Sequence, residues 1–188
     1  MGYKLFMLLL GSTPPGRLTE QHDIFFGIGG SLKELVPAIN AFWPEAKGGI
    51  HIDVWREVLH VDGHSISIAA RDETAEKKES RLQLFFINLG GYKKAEFDEF
   101  HYRMLVLAEN KAAAISQSKA SYFYKTYGYK EAPSHIDDKY GVDVDDIYEL
   151  DDILPASVKQ KFRIVITPNP AGAEDICVPG YTILSKLK

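Results

Sequence analysis

Residues 3–10, Tyr-Lys-Leu-Phe-Met-Leu-Leu-Leu, are apolar at every position but one. A continuous run of this length predicts a buried strand. Residues 11–17, with Pro14-Pro15, read as a loop, and residues 22–28 as a second strand. Ser31-Leu32-Lys33-Glu34 has the form of a capping box. Behind it Leu35, Val36, Ile39, Phe42 and Trp43 recur on one helical face until Pro44 stops the helix. Ile50, Ile52 and Val54 alternate with His51, Asp53 and Trp55, the pattern of a half-buried strand. Residues 58–68 predict a hairpin around Asp62-Gly63, a type I′ signal.

The pattern then recurs. Sliding the chain by 79 residues places Leu5-Phe6 on Leu84-Phe85, Leu10-Gly11 on Leu89-Gly90, Glu20 on Glu99 and His22 on His101. That is six identities in the 18 positions from Leu5 to His22, where chance gives roughly one. Ser31 falls on Asn110, both suited to a helix N-cap. His51-Ile52-Asp53 returns as His135-Ile136-Asp137 at an offset of 84, so the second copy holds five extra residues near 127–133. Strands are expected at 82–89, 101–107 and 142–150, a helix at 110–124, and a closing strand at 162–167. Residues 71–81, eight of them charged, read as a linker, and the proline-bearing residues 168–188 as a tail. The expected fold is α+β: two tandem, internally repeated modules, 1–70 and 82–167. Each has the order strand, strand, helix, strand(s), with the helix packed on a mainly antiparallel sheet.

The repeat carries the first candidate chemistry. Glu20-x-His22 and His51-x-Asp53 in one copy correspond to Glu99-x-His101 and His135-x-Asp137 in the other. Strand residues i and i+2 share a face, so each pair sets a carboxylate beside an imidazole. Such a set serves equally as a structural hydrogen-bond network, an acid/base pair, or ligands for a divalent transition metal such as zinc, manganese or iron. Elsewhere Gly11-Ser-Thr-Pro-Pro-Gly-Arg-Leu18 approaches a phosphate loop. It lacks the lysine and the hydroxyl, and two prolines remove N–H donors, so it reads as a turn. Gly27-Ile-Gly-Gly-Ser31 precedes a helix, as an anion cradle does, yet also fits a tight turn. Tyr122-Phe-Tyr-Lys-Thr-Tyr-Gly-Tyr-Lys130 interleaves aromatics with lysine, as single-stranded nucleic-acid binders do. Of its rings, Tyr127 and Tyr129 are the ones expected to be exposed. The acidic residues between 137 and 152 lack the glycine and spacing of an EF-hand and read as a solvated face. His60 and His64 flank the hairpin turn and read as surface residues.

Composition narrows these readings. The 188 residues carry a net charge of -4, which argues against nucleic acid and anionic membranes as partners. A single cysteine, Cys177, excludes an intramolecular disulfide and a thiolate-only zinc site. The six-residue apolar core at Leu5–Leu10 is too short for a membrane span or a secretory signal, so a cytoplasmic protein is expected.

Three phrases bring a resemblance: Lys4-Leu5-Phe6 to Leu10-Gly11, Thr19-Glu20-Gln21-His22-Asp23-Ile24-Phe25-Phe26, and Ser134-His135-Ile136-Asp137-Asp138-Lys139-Tyr140-Gly141-Val142-Asp143. Up to about Pro155 the chain resembles the bacterial family catalogued as domain of unknown function 1543. That resemblance implies a bacterial protein built from one or two copies of a domain, and it implies no activity. The reading favours a non-enzymatic binding protein with a protein partner or self-association, against a metal-binding protein or metal-dependent enzyme using the repeated polar set, and an RNA-associated protein.

Overall fold

The computed structural model describes residues 2–71, 81–136 and 147–187. It is an α+β structure with helices packed on antiparallel sheets, and the chain forms two compact units. One comprises Met1–Ala75 and Leu154–Lys188, the other Glu76–Ile153.

Unit 1 starts with strands β1 (Lys4–Ser12) and β2 (Gln21–Gly29), helix α1 (Leu32–Phe42) and strand β3 (His51–Glu57). Strands β4 (His60–Val61) and β5 (His64–Ala70) form the expected hairpin. Its turn takes positive φ at both Asp62 (46°) and Gly63 (72°), as a type I′ turn demands. β1 runs antiparallel between β2 and β3. On one face of this sheet Phe6, Leu8, Leu10, Phe25 and Ile52 pack with Leu35 and Ile39 of α1. The capping box does not form: the Ser31 side chain makes no cap bond, and Glu34 Oε2 accepts the N–H of Gly30, one residue before the cap, at 2.9 Å. That carboxylate occupies the helix N-terminus where the glycine run could have held an anion.

The alternation expected in β3 is interrupted. Leu9 pairs with Val54 and Leu10 with Ile52, which leaves Asp53 as the extra residue of a β-bulge. Ile52 and Trp55 consequently both pack with the core, although their spacing is odd. A bulge of this kind re-aims one side chain while keeping its flanks paired.

Unit 2 repeats the opening. β6 (Gln83–Gly91) pairs with β7 (Phe100–Ala108), and the registers Lys4↔Gly29 and Gln83↔Ala108 differ by 79 at both ends. The expected helix is divided into α2 (Lys111–Lys119) and α3 (Tyr122–Thr126). Ser121 adopts an extended conformation and its Oγ accepts the Tyr124 N–H, so a new helix begins where the first ends. β8 (His135–Ile136) and β9 (Ile147–Glu149) both pair with β6, and α4 (Leu150–Ile153) follows. The core is built on Phe85, Ile87, Leu89, Val106, Ala114 and Phe123. Tyr127, expected to be exposed, is half-buried between Phe100 and Phe123, whereas Tyr122 faces solvent. Within the expected linker, residues 72–80 lie outside the described residues, as do 137–146 of the acidic stretch.

The last segment lies elsewhere than the sequence pattern suggested. After α5 (Ala156–Lys159), β10 (Phe162–Pro168) pairs with β5, and β11 (Val178–Ile183) pairs with β3, so both belong to unit 1 rather than to a second-module strand and a tail. The sheets read β11-β3-β1-β2 and β10-β5-β4. Prolines misled the tail reading. Pro179 sits on an edge strand, where a missing N–H is tolerated. The 169–175 loop grips the β4–β5 hairpin: Asp175 Oδ1 accepts the N–H groups of Leu59 and His60, and His60 Nε2 lies 2.9 Å from the Asn169 carbonyl. His60 is therefore a packed residue of this junction.

Candidate functional site

The side of unit 1's main sheet opposite α1 gathers Glu20, His22, His51 and Asp53. Gly11 of β1 lies directly between His22 on β2 and His51 on β3. Only glycine fits there. A Cβ would collide with His51 Nε2 and lie 2.6 Å from Asp53 Oδ2. Glu20 enters from the residue before β2, and the bulge sets Asp53 over the same floor.

The four groups form a ring of approaches. His22 Nε2 lies 3.5 Å from Glu20 Oε2 and 3.3 Å from Asp53 Oδ2. His51 Nε2 lies 3.0 Å from Glu20 Oε1 and 3.3 Å from Asp53 Oδ1. Each imidazole thus faces one oxygen of each carboxylate. His22 and Glu20 are partly open to solvent, while His51 is 4% exposed. Despite these distances, neither His51 Nε2 nor Asp53 Oδ2 has an aligned hydrogen-bond partner among the described residues. Among those residues, no group of three or more His, Cys, Asp or Glu side chains could hold a metal ion. The ring is open rather than a closed cage.

Tyr181 reaches one member of the set from β11. Its ring stacks on His51 with centroids 4.1 Å apart and planes at 30°. It reaches there because Gly180 and Tyr181 together oppose Asp53 in the β11–β3 register, with Gly180 at φ 142°.

In unit 2 the backbone plan is the same and the chemistry differs. Gly90 lies between His101 and His135. His135 Nε2 is 3.2 Å from Glu99 Oε1, which also accepts the Tyr92 hydroxyl. Tyr92 stacks on His135 with ring centroids 5.8 Å apart. His101 is exposed, and Asp137 lies outside the described residues. The structure therefore brings together all four candidates of the first copy, and Glu99 with His135 in the second. Gly11, Tyr181 and Tyr92 were not singled out by residue chemistry. The 79-residue self-match contained Gly11 and Gly90 but showed no reason for them.

The other candidates are occupied structurally. Pro14 O accepts the Arg17 N–H in a turn that is not a phosphate loop. In the aromatic–lysine segment Phe123 is core, and Lys93 covers the rings of Phe100 and Tyr127. Among the described residues no helix is long and apolar enough to cross a membrane.

Comparison with known proteins bears on family and fold. Residues 17–68 match the family model described as Domain of Unknown Function (DUF1543). No curated protein matches the chain. The crystal structure of a protein Il1583 from Idiomarina loihiensis is similar over 98% of this chain and 99% of its own, with a TM-score of 0.65 and 23% identity. At that identity the likeness is one of fold.

Proposed function

We propose that the chain is a non-enzymatic binding protein that engages a protein partner through two equivalent loops, residues 13–20 in unit 1 and 92–99 in unit 2. The observation that carries this is the loops' common shape. Arg17 N–H bonds Pro14 O in one and Glu96 N–H bonds Lys93 O in the other, both at 3.2 Å. Gly16 has φ 84° and Ala95, its counterpart at offset 79, has φ 67°. An alanine in that region is strained by about 1–2 kcal/mol, and strain retained in a loop supports a functional reading of its shape. The turn, strained at Ala95 and free of strain at Gly16, holds out an apolar tip in both units: Leu18 is 102% exposed and Phe97, again 79 residues on, is 109% exposed. Large apolar side chains held fully in water at matched positions suit insertion into a partner's surface.

The same correspondence supports an internal duplication as the origin of the two units. An exposed, unpaired Cys177 suits a reducing compartment, consistent with a bacterial cytoplasmic protein.

The test is photo-crosslinking in cells from positions 18 and 97 of the full chain. The same partner should be captured at both tips and lost in a Leu18→Ser, Phe97→Ser double variant of unchanged melting temperature. Capture of no partner, or equal capture by the double variant, overturns the proposal.

A further inference from the structure

We infer that the imidazole–carboxylate contact repeated in the two units latches each display loop at its end, and that the unit 1 latch is set by protonation of His22 and His51. The latch follows from the chain's own geometry, while its use in regulation rests on partner binding by the loops.

The contacts fall where the loops close. Glu20 ends loop 13–20 and Glu99 ends loop 92–99, each two residues beyond an exposed tip, Leu18 or Phe97. His51 Nε2 lies 3.0 Å from Glu20 Oε1, and His135 Nε2 lies 3.2 Å from Glu99 Oε1. Each of these histidines stands on a strand paired with the opening strand of its unit. The contact therefore ties the loop end to the sheet beneath it.

The two latches differ in what else holds the glutamate. Glu99 Oε1 also accepts the hydroxyl of Tyr92, the first residue of its loop. That hydrogen bond joins the two loop ends and needs no charged imidazole. Thr13 stands at the matching position, 79 residues earlier, and brings no phenol. Among the described residues the Glu20 carboxylate meets only imidazoles, His22 Nε2 at 3.5 Å and His51 Nε2 at 3.0 Å.

Charge decides when the unit 1 latch closes. The titratable groups around His51 are Glu20 from the loop, His22 from β2, Asp53 on β3 itself and Tyr181 from β11. His22 in turn meets Glu20 and Asp53. Neither His51 Nε2 nor Asp53 Oδ2, both buried, has an aligned hydrogen bond, so charge rather than a shaped hydrogen-bond network must hold this ring together. With neutral imidazoles the two carboxylates leave the set at minus two. One proton on each imidazole brings it to zero and makes all four approaches attractive, with charge-assisted contacts about twice as strong as neutral ones. Imidazole ordinarily changes charge between about pH 5 and 8. The Glu20 end of the loop is thus gripped on the acid side of that range and released on the alkaline side, while the phenol keeps Glu99 gripped throughout.

The test is fluorescence anisotropy of the purified full chain, labelled with a rhodamine dye at Leu18→Cys or at Phe97→Cys in a Cys177→Ser background. Position 18 should lose anisotropy between about pH 5.5 and pH 8, and position 97 should not. Glu20→Gln keeps the shape without the charge and should leave position 18 mobile at both pH values. Tyr92→Phe removes the extra tie and should make position 97 lose anisotropy as position 18 does. A position 18 that ignores pH, a response equally large in Glu20→Gln, or a position 97 still unresponsive in Tyr92→Phe overturns the inference. No partner is present in this measurement, so its failure is distinct from a failure to capture one at positions 18 and 97.

Discussion

The ring of Tyr181 lies over the ring of His51, 4.1 Å away, although 130 residues separate them in sequence. The last strand of the chain thereby covers the most deeply buried group of a site whose other members come from the first 53 residues. This makes the closing segment part of the site.

Tyr181→Ala removes the stack while leaving β11 its backbone pairing. The expected loss is about 0.5–1.5 kcal/mol, the range for an aromatic pair, and Tyr181→Phe should restore most of it. Urea unfolding followed by tryptophan fluorescence reads this directly, because Trp43 and Trp55 both lie in unit 1.

Gly11→Ala places a methyl group against His51 Nε2 and Asp53 Oδ2. Both are buried and fixed, so neither swings away freely. Unit 1 should lose about 1–3 kcal/mol, as overpacking typically costs, in the same fluorescence-detected unfolding. A change below about 0.5 kcal/mol would mean that the floor is looser than described.

The matched loop turns make a paired prediction with opposite signs. Ala95→Gly relieves a positive φ and should stabilise unit 2 by up to about 1 kcal/mol, after the glycine's extra unfolded-state entropy is subtracted. Gly16→Ala imposes the strain on unit 1 and should cost about 1 kcal/mol. Circular dichroism reports the first and tryptophan fluorescence the second.

Glu149 supplies a pH dependence. Burial, then the Asp152 and Asp151 carboxylates, raise its carboxyl above the ordinary 4.5, against the pull of a Gln83 hydrogen bond and the Lys111 charge. The folded state therefore holds this proton more tightly than the unfolded chain. Its contribution is complete below pH 4.5 and is lost as pH rises through the folded value. Glu149→Gln should match the parent at low pH and unfold at higher urea at neutral pH. An identical gap between the two proteins at both pH values would assign the effect to something other than titration.

Local periodicity revealed β1, β2, α1, β3 and the β4–β5 hairpin with its Asp62-Gly63 turn, because each is decided by neighbours in sequence. It also paired Glu20 with His22 and His51 with Asp53. Most of what it missed was non-local. The bulge at Asp53 exists only relative to β1, so alternation in β3 looked unbroken. Tyr181 could not be tied to His51, since nothing in residues 168–188 says which strand β11 will join. One miss was local: Ser121 caps a second helix by accepting the Tyr124 N–H three residues on, a signal outweighed by apolar spacing that reads as one continuous helix. Gly11 looked like a repeat marker until the two flanking histidines gave it a steric reason.

Unit 1 is assembled from two stretches of chain with another unit made in between. During synthesis β5 and β3 emerge long before β10 and β11. At about 5–20 residues per second, the 92 residues from Ala70 to Phe162 leave the ribosome over roughly 5–20 seconds. For that interval the nascent protein carries two strand edges whose proper occupants do not yet exist. Open edges of this kind accept any extended peptide. The nascent chain is thus most open to capture by chaperones or by its neighbours on a polysome once its first half has emerged, and the final strands act as the plug that ends this exposure.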